Sequence, residues 1–111
     1  MSQSQLLKGT THLLILGVLR DAELHGYEIR QRIRERSAAV IEPGEGWLYP
    51  ALHRLEADGA VEATWRDGDL GPRRRYYRIT KQGLTALASL EADWESFARS
   101  VRLVTTASAD S

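Results

Sequence analysis

Cysteine is absent from the 111 residues, which excludes disulfide frameworks and thiolate metal sites and fits a reducing compartment. Net charge is absent as well: 15 basic residues balance 15 acidic ones, so any case for nucleic-acid binding must rest on local clustering. The longest apolar run, Leu13 to Leu19, falls far short of the roughly 20 residues of a spanning helix, and no small-residue cleavage site follows it. A cytoplasmic protein without a membrane partner is expected. His12, His25 and His53 are not spaced as a metal site, Gly44 and Gly46 do not open a nucleotide fingerprint, and no serine or carboxylate pair forms a catalytic constellation. Enzyme activity, a cofactor and a bound metal are therefore not expected.

What is present is ordinary for one soluble domain: 42% hydrophobic and 27% charged residues. A chain this short buries proportionally less surface than a larger one, so a partner would help it. The stretch Pro43 to Gly59, PGEGWLYPALHRLEADG, organises the rest. Leu48, Leu52 and Leu55 recur at the spacing of one helix face, and Gly59 stands where a helix stops. The opposite side carries Trp47, Tyr49, Pro50, His53 and Arg54, a mixture of aromatic, imidazole and guanidinium groups suited to reading another molecule. Pro50 falls in the first turn, where backbone N–H groups lack partners anyway.

Before this helix, the apolar positions between Leu6 and Leu19 cover more than one face, which predicts a helix buried nearly all round. Asp21 to Gly26 reads as a short break. Tyr27, Ile29 and Ile33 then mark a second amphipathic helix to about Ser37, whose outer side holds Arg30, Arg32, Arg34 and Arg36. Those arginines are either a solvated face or a source of phosphate contacts. After the central helix, AVEATWR (Ala60 to Arg66) alternates like a half-buried strand, with Val61, Ala63 and Trp65 on one side. Asp67-Gly68 and Gly71-Pro72 are turn dipeptides, and RRYYRIT (Arg74 to Thr80) is a second strand. The hairpin so formed presents Arg66, Arg73, Arg74 and Arg75, either as a cationic patch for phosphates or as a charged strand end that discourages edge pairing.

Thr80 is placed to cap a long last helix reaching about Val104. Along it Leu87, Leu90, Trp94, Phe97, Val101 and Val104 step by 3, 4, 3, 4 and 3, a heptad seam that calls for a partner helix. The small polar segment 105–111 reads as a disordered tail. The expected fold is mainly α with a small β-hairpin: a winged helix-turn-helix over residues 1–80, then a dimerisation helix over 81–104. In such a fold the central helix enters the major groove and the wing reaches the backbone. Arg54 is the candidate for bidentate contact to guanine, His53 for a base edge, and Tyr49 for phosphate.

Three segments carry a resemblance to a known family: HGYEI (His25 to Ile29), EGWLYPALHRLEADG (Glu45 to Gly59) and RRYYRITKQG (Arg74 to Gly83). Across about residues 6 to 104 the chain resembles the short form of the PadR-type transcriptional regulators, which has a single C-terminal helix. The resemblance implies a homodimeric repressor of a pseudo-palindromic operator, joined mainly through the last helix with help from the first, where Leu14 lies. It implies DNA contact by Tyr49 and by the central-helix and wing positions. It also implies a small aromatic effector as an optional partner, since multidrug-binding members hold flat ligands at the dimer centre against a tryptophan where Trp94 stands. Two departures stand out: the residue before Leu-Tyr-Pro, commonly small or hydroxylated, is Trp47, whose ring either lies against deoxyribose or a thymine methyl or folds back onto the protein, and Ala98, one turn beyond Trp94, offers no carboxylate to a cationic ligand. The competing functions are a winged helix that grips a protein, and a dimeric small-molecule binder without specific DNA binding.

Overall fold

The computed structural model describes residues 9–67 and 71–106, apart from the side chain of Glu45. Leu6, Leu7, the Gly68 of the first turn dipeptide and residues 107–111 lie outside the described residues. The elements run α1 (Thr11–Leu19), β1 (Leu24–His25), α2 (Gly26–Arg36), α3 (Glu45–Ala57), β2 (Val61–Arg66), β3 (Arg74–Ile79) and α4 (Lys81–Thr106). This is the helix-rich winged helix-turn-helix with one small sheet that the sequence predicts. The addition is β1, which makes the sheet three-stranded in the order β1-β3-β2. Leu24 and His25 pair with Tyr77 and Tyr76, while β2 and β3 pair from Val61↔Ile79 to Arg66↔Arg74.

One core joins all of these elements. Ile15, Leu16 and Leu19 of α1, Ile29 and Ile33 of α2, Leu48, Leu52 and Leu55 of α3, Val61, Tyr77 and Leu87 are all buried. The helices are amphipathic and the sheet is apolar on one side, so each buries its stripe against the others. Leu87, placed by its spacing in the heptad seam, is 2% exposed within a single protomer, where it packs in the core and lines the edge of a groove beside α1. The seam turns outward only beyond it: Leu90 is half-buried, and Trp94, Phe97, Val101 and Val104 are exposed. The reason is geometric. A helix of 26 residues is about 39 Å long, and the rest of a domain this small covers only its first turns.

Three chain junctions fix the relative positions of the helices. α3 ends on Asp58 and Gly59, with Gly59 N–H donating to the Glu56 carbonyl (3.1 Å) and Ala60 N–H to that of Leu55 (2.9 Å). This is a Schellman stop, and Gly59 adopts the left-handed φ of 79° it requires. α4 starts at Thr80, whose Oγ1 accepts from Gly83 N–H at 3.0 Å, the predicted N-cap. The helix continues through Thr106, so Thr105 and Thr106 belong to it and not to a tail; their hydroxyls donate to the Arg102 carbonyl. α2 ends with the same pair of bonds as α3, Ala38 N–H to Glu35 and Ala39 N–H to Arg34, but without glycine: Ala38 and Ala39 have φ of 52° and 64°. A Cβ in that region costs about 1 to 2 kcal/mol per residue. Ala38→Gly should therefore raise the unfolding free energy by about 0.5 to 1 kcal/mol, measured by urea denaturation; no gain would mean that Ser37, which accepts from Ile41 N–H at 3.0 Å, already dictates this turn.

Candidate nucleic-acid interface

α3 has two unlike sides because its apolar residues recur on one stripe. Leu48, Ala51, Leu52 and Leu55 are buried, and Tyr49, Pro50, His53 and Arg54 are exposed on the other side. Trp47 takes the second of the two courses open to it and folds back onto the protein. Its ring packs on the hydrophobic core, and Nε1 is buried without an acceptor among the described residues. Trp47 shares an i, i+4, i+8 row with Ala51 and Leu55, on the flank between the two sides, and a ring of that size turns toward the apolar flank where it removes more surface from water. Tyr49 leans toward α2: its hydroxyl lies 2.7 Å from where a side chain at Gly26 would begin.

The wing rises beside α3. Between them lies a cleft of about 380 Å³ lined by His25, Gly26, Tyr27, Tyr49, His53, Trp65, Arg73, Arg74, Arg75 and Tyr77. The fold thus gathers the start of α2, the outer side of α3 and the wing on one concave surface. Trp65 is the residue missed by the sequence reading, which assigned it to the inner side of β2. That side is covered only as far as α3 extends; at the strand's outer end Trp65 is 58% exposed, with the Arg73 guanidinium 5.8 Å from its ring. The available signal was its position four residues beyond Val61, near the hairpin tip.

The three wing arginines are not equivalent. Arg75 is tied back to α3 by Glu56 at 2.6 Å and stands over the Tyr77 ring, so it braces the wing instead of projecting from it. Arg73 meets Asp67 at 3.2 Å, and Arg66 pairs with Glu23 while covering the Tyr76 ring. Arg74 is exposed and makes no ion pair among the described residues. On α3, Arg54 meets Asp58 at 3.3 Å. The arginines of α2 are likewise engaged: Arg30 Nε donates to the Pro43 carbonyl at 3.0 Å, Arg34 pairs with Glu42 at 2.6 Å and Arg36 with Asp21 at 3.1 Å. Arg30 and Arg34 anchor the loop that leads into α3, and Arg36 ties the end of α2 to the segment between α1 and α2, roles the sequence reading had not assigned them.

His25 closes the inner end of the cleft as the N-cap of α2. Its Nδ1 accepts from Glu28 N–H (3.4 Å), and its own N–H donates to Glu28 Oε1 (3.2 Å), a reciprocal capping box. Nδ1 can accept only while unprotonated. Burial holds the imidazole below its ordinary pKa of 6.5, opposed by the Glu28 carboxylate and reinforced by Arg74. The unfolded chain therefore binds the proton more readily, and the His25 contribution to stability is complete above pH 6.5 and is lost as pH falls toward the lower folded value. The urea midpoint should decline between pH 7.5 and 5.5, and His25→Asn, which keeps a cap, should flatten that decline. An unchanged slope in His25→Asn would assign the effect to other groups.

Among the described residues there is no cluster of three or more His, Asp or Glu able to hold a metal, and no helix long and apolar enough to cross a membrane. The comparisons with known proteins agree with the geometry. Residues 15–89 match the transcriptional regulator PadR-like family. The chain is 39% identical over 94 residues to the transcriptional regulator Rv3488 of Mycobacterium tuberculosis, covering 85% of this chain and 84% of that protein. Among solved structures, a transcriptional regulator from Clostridium thermocellum superposes with a TM-score of 0.81 at 30% identity, over 88% of this chain and 95% of that one. A PadR-family regulator from Eggerthella lenta gives a TM-score of 0.80 at 30% identity, over 92% and 87% of the two chains. With an outward reading helix, a cationic wing and these relatives, the chain belongs to the PadR-like family of transcriptional regulators, DNA-binding proteins and not enzymes.

Proposed function

We propose that the protein is a cytoplasmic homodimeric repressor that binds a pseudo-palindromic operator. The observation that carries this reading is the concave surface on which the exposed side of α3 meets the wing. α3 would lie in the major groove, with Arg54 offering its guanidinium to a guanine edge and His53 facing a second base. Arg73, Arg74 and Tyr49 would hold the phosphate backbone, with Trp65 against the sugars.

The dimer is supported by the exposed seam of α4 and by a second apolar feature. A cleft of about 290 Å³ beside the α1–α4 junction is lined by Leu13, Leu14, Gly17, Val18, Ile33, Ile41 and Leu87 among others. The outer half of a second copy's α4 has the apolar residues to fill it. Two recognition helices in such a dimer would address half-sites about one helical turn apart, roughly 34 to 36 Å, and repression would follow from exclusion of polymerase. Trp94, 48% exposed, offers a flat platform at the seam. An aromatic effector there would release DNA by favouring one separation of the wings over another.

The test is binding to the DNA upstream of the protein's own gene across a salt series, with random DNA of equal length as control. A large preference and a steep salt dependence are expected. Arg54→Ala should cost about 1 to 3 kcal/mol at the operator and relax sequence preference, whereas Arg74→Ala should weaken all sequences alike and reduce the salt slope by about one. No preference over random DNA, in the absence of added ligand, would instead favour a protein partner for this surface.

A further inference from the structure

The exposed guanidiniums nearest the reading surface are held by the chain's own carboxylates. Arg54 is paired with Asp58 at 3.3 Å and Arg73 with Asp67 at 3.2 Å, and all four side chains are largely open to solvent. Asp58 caps the C-terminus of α3, the helix that carries Arg54, and Asp67 and Arg73 flank the wing loop, one just past β2 and the other just before β3. Arg74, by contrast, has no such partner among the described residues.

We propose that Asp58 is a specificity determinant: it occupies Arg54 in the free protein and so suppresses binding to random DNA, whereas Asp67, which holds the phosphate-facing Arg73, weakens operator and random DNA alike. The inference rests on the DNA-binding reading above. Non-specific affinity comes from cations that neutralise phosphates and release counterions. An arginine that must leave a carboxylate to reach a phosphate exchanges one anion for another, and leaves the carboxylate facing the polyanion. Its contribution to random binding is therefore small. An exposed pair is nonetheless weak, and a guanine that accepts two hydrogen bonds in a fixed geometry draws Arg54 away from Asp58 where a lone phosphate does not. Specificity is a difference of affinities, and Asp58 acts on the unwanted side of that difference.

The experiment uses the full chain and fluorescence anisotropy on a random duplex and on the operator, across a salt series. Asp58→Asn and Asp67→Asn preserve size and remove the charge. Asp21→Asn removes the same charge from the pair with Arg36, away from α3 and the wing, and controls for net charge. Asp58→Asn and Asp67→Asn should each tighten random-DNA binding by about twofold to fivefold and steepen its salt slope, but only Asp58→Asn should lower the ratio of operator to random affinity. Asp21→Asn should leave that ratio unchanged. The proposal is overturned if Asp58→Asn binds random DNA no better than Asp21→Asn, or if its operator affinity rises by the same factor. If the unaltered protein prefers no operator, the proposed function fails, while the random-DNA comparison with Asp21→Asn still decides the part played by the two carboxylates.

Discussion

Gly83→Ala should lower the melting temperature by on the order of 15 °C. At most helical positions this substitution stabilises a protein, by about 1 kcal/mol, so the sign of the change is itself the test. Gly83 is the third residue of α4 and is buried. A Cβ there would overlap the Ala60 carbonyl oxygen and lie 2.6 Å from Ile79 Cγ1. The carbonyl cannot retreat, because it accepts from Thr80 N–H at 3.0 Å and belongs to the residue that completes the Schellman stop of α3. The end of α3, the start of β2 and the start of α4 thus converge on a point with no room for a methyl group. Overpacking of this kind costs about 3 kcal/mol, a large part of the stability of a small domain. Thermal unfolding followed by circular dichroism reads the result, with Gln82→Ala on the neighbouring exposed position as a reference near zero. A raised melting temperature in Gly83→Ala would show that α4 shifts freely against the sheet.

That junction also shows which features were legible in the sequence. The α3 stripe, the glycine at its C′ position and the Thr80 cap are local signals: each depends on residues within a turn or two, so periodicity and cap chemistry locate them. β1 was invisible because Leu24 and His25 become a strand only by pairing with Tyr77 and Tyr76, more than 50 residues away. The same distance effect hid the roles of the arginines. Nothing near Arg75 announces Glu56, and nothing in the run from Arg30 to Arg36 announces Pro43, Glu42 and Asp21. Ala38 and Ala39 carry left-handed backbone with no glycine to mark it. For the site, side-chain type and helical phase were sufficient for Tyr49, Pro50, His53 and Arg54. They left two courses open for Trp47, which lies on the flank where phase is ambiguous and size decides, and they failed for Trp65, whose strand outruns the helix that covers the rest of its side. Leu87 and Trp94 belong to one heptad series, yet only the length of α4 relative to the body of the domain determines that the first is core and the second is not.

The double variant Phe97→Lys, Val101→Lys should be monomeric and should lose at least about a hundredfold in operator affinity, while its winged-helix domain stays folded. Both residues lie in the part of α4 that the protomer leaves uncovered, at 64% and 45% exposure, so neither charge enters the core. Loss of a partner is then the only large consequence. Beyond Leu90 the described residues of α4 have almost nothing to lean on: most positions from Ala92 to Thr106 are exposed, including Trp94, Phe97, Val101, Leu103 and Val104. A helical segment of about 15 residues without tertiary support is marginal in water, so the outer half of α4 should be helical only where a second copy covers it. Two readouts follow. Light scattering should give a dimer for the unaltered chain and a monomer for the variant. Helical ellipticity should fall on dilution of the unaltered chain through its dissociation constant, and should stand at the lower value in the variant at every concentration. The affinity loss arises because the second recognition helix no longer meets its half-site at the high effective concentration that a fixed dimer supplies. A variant that remains dimeric would move the interface to the α1 groove alone, and a monomeric variant with undiminished operator affinity would show that one reading helix and its wing suffice.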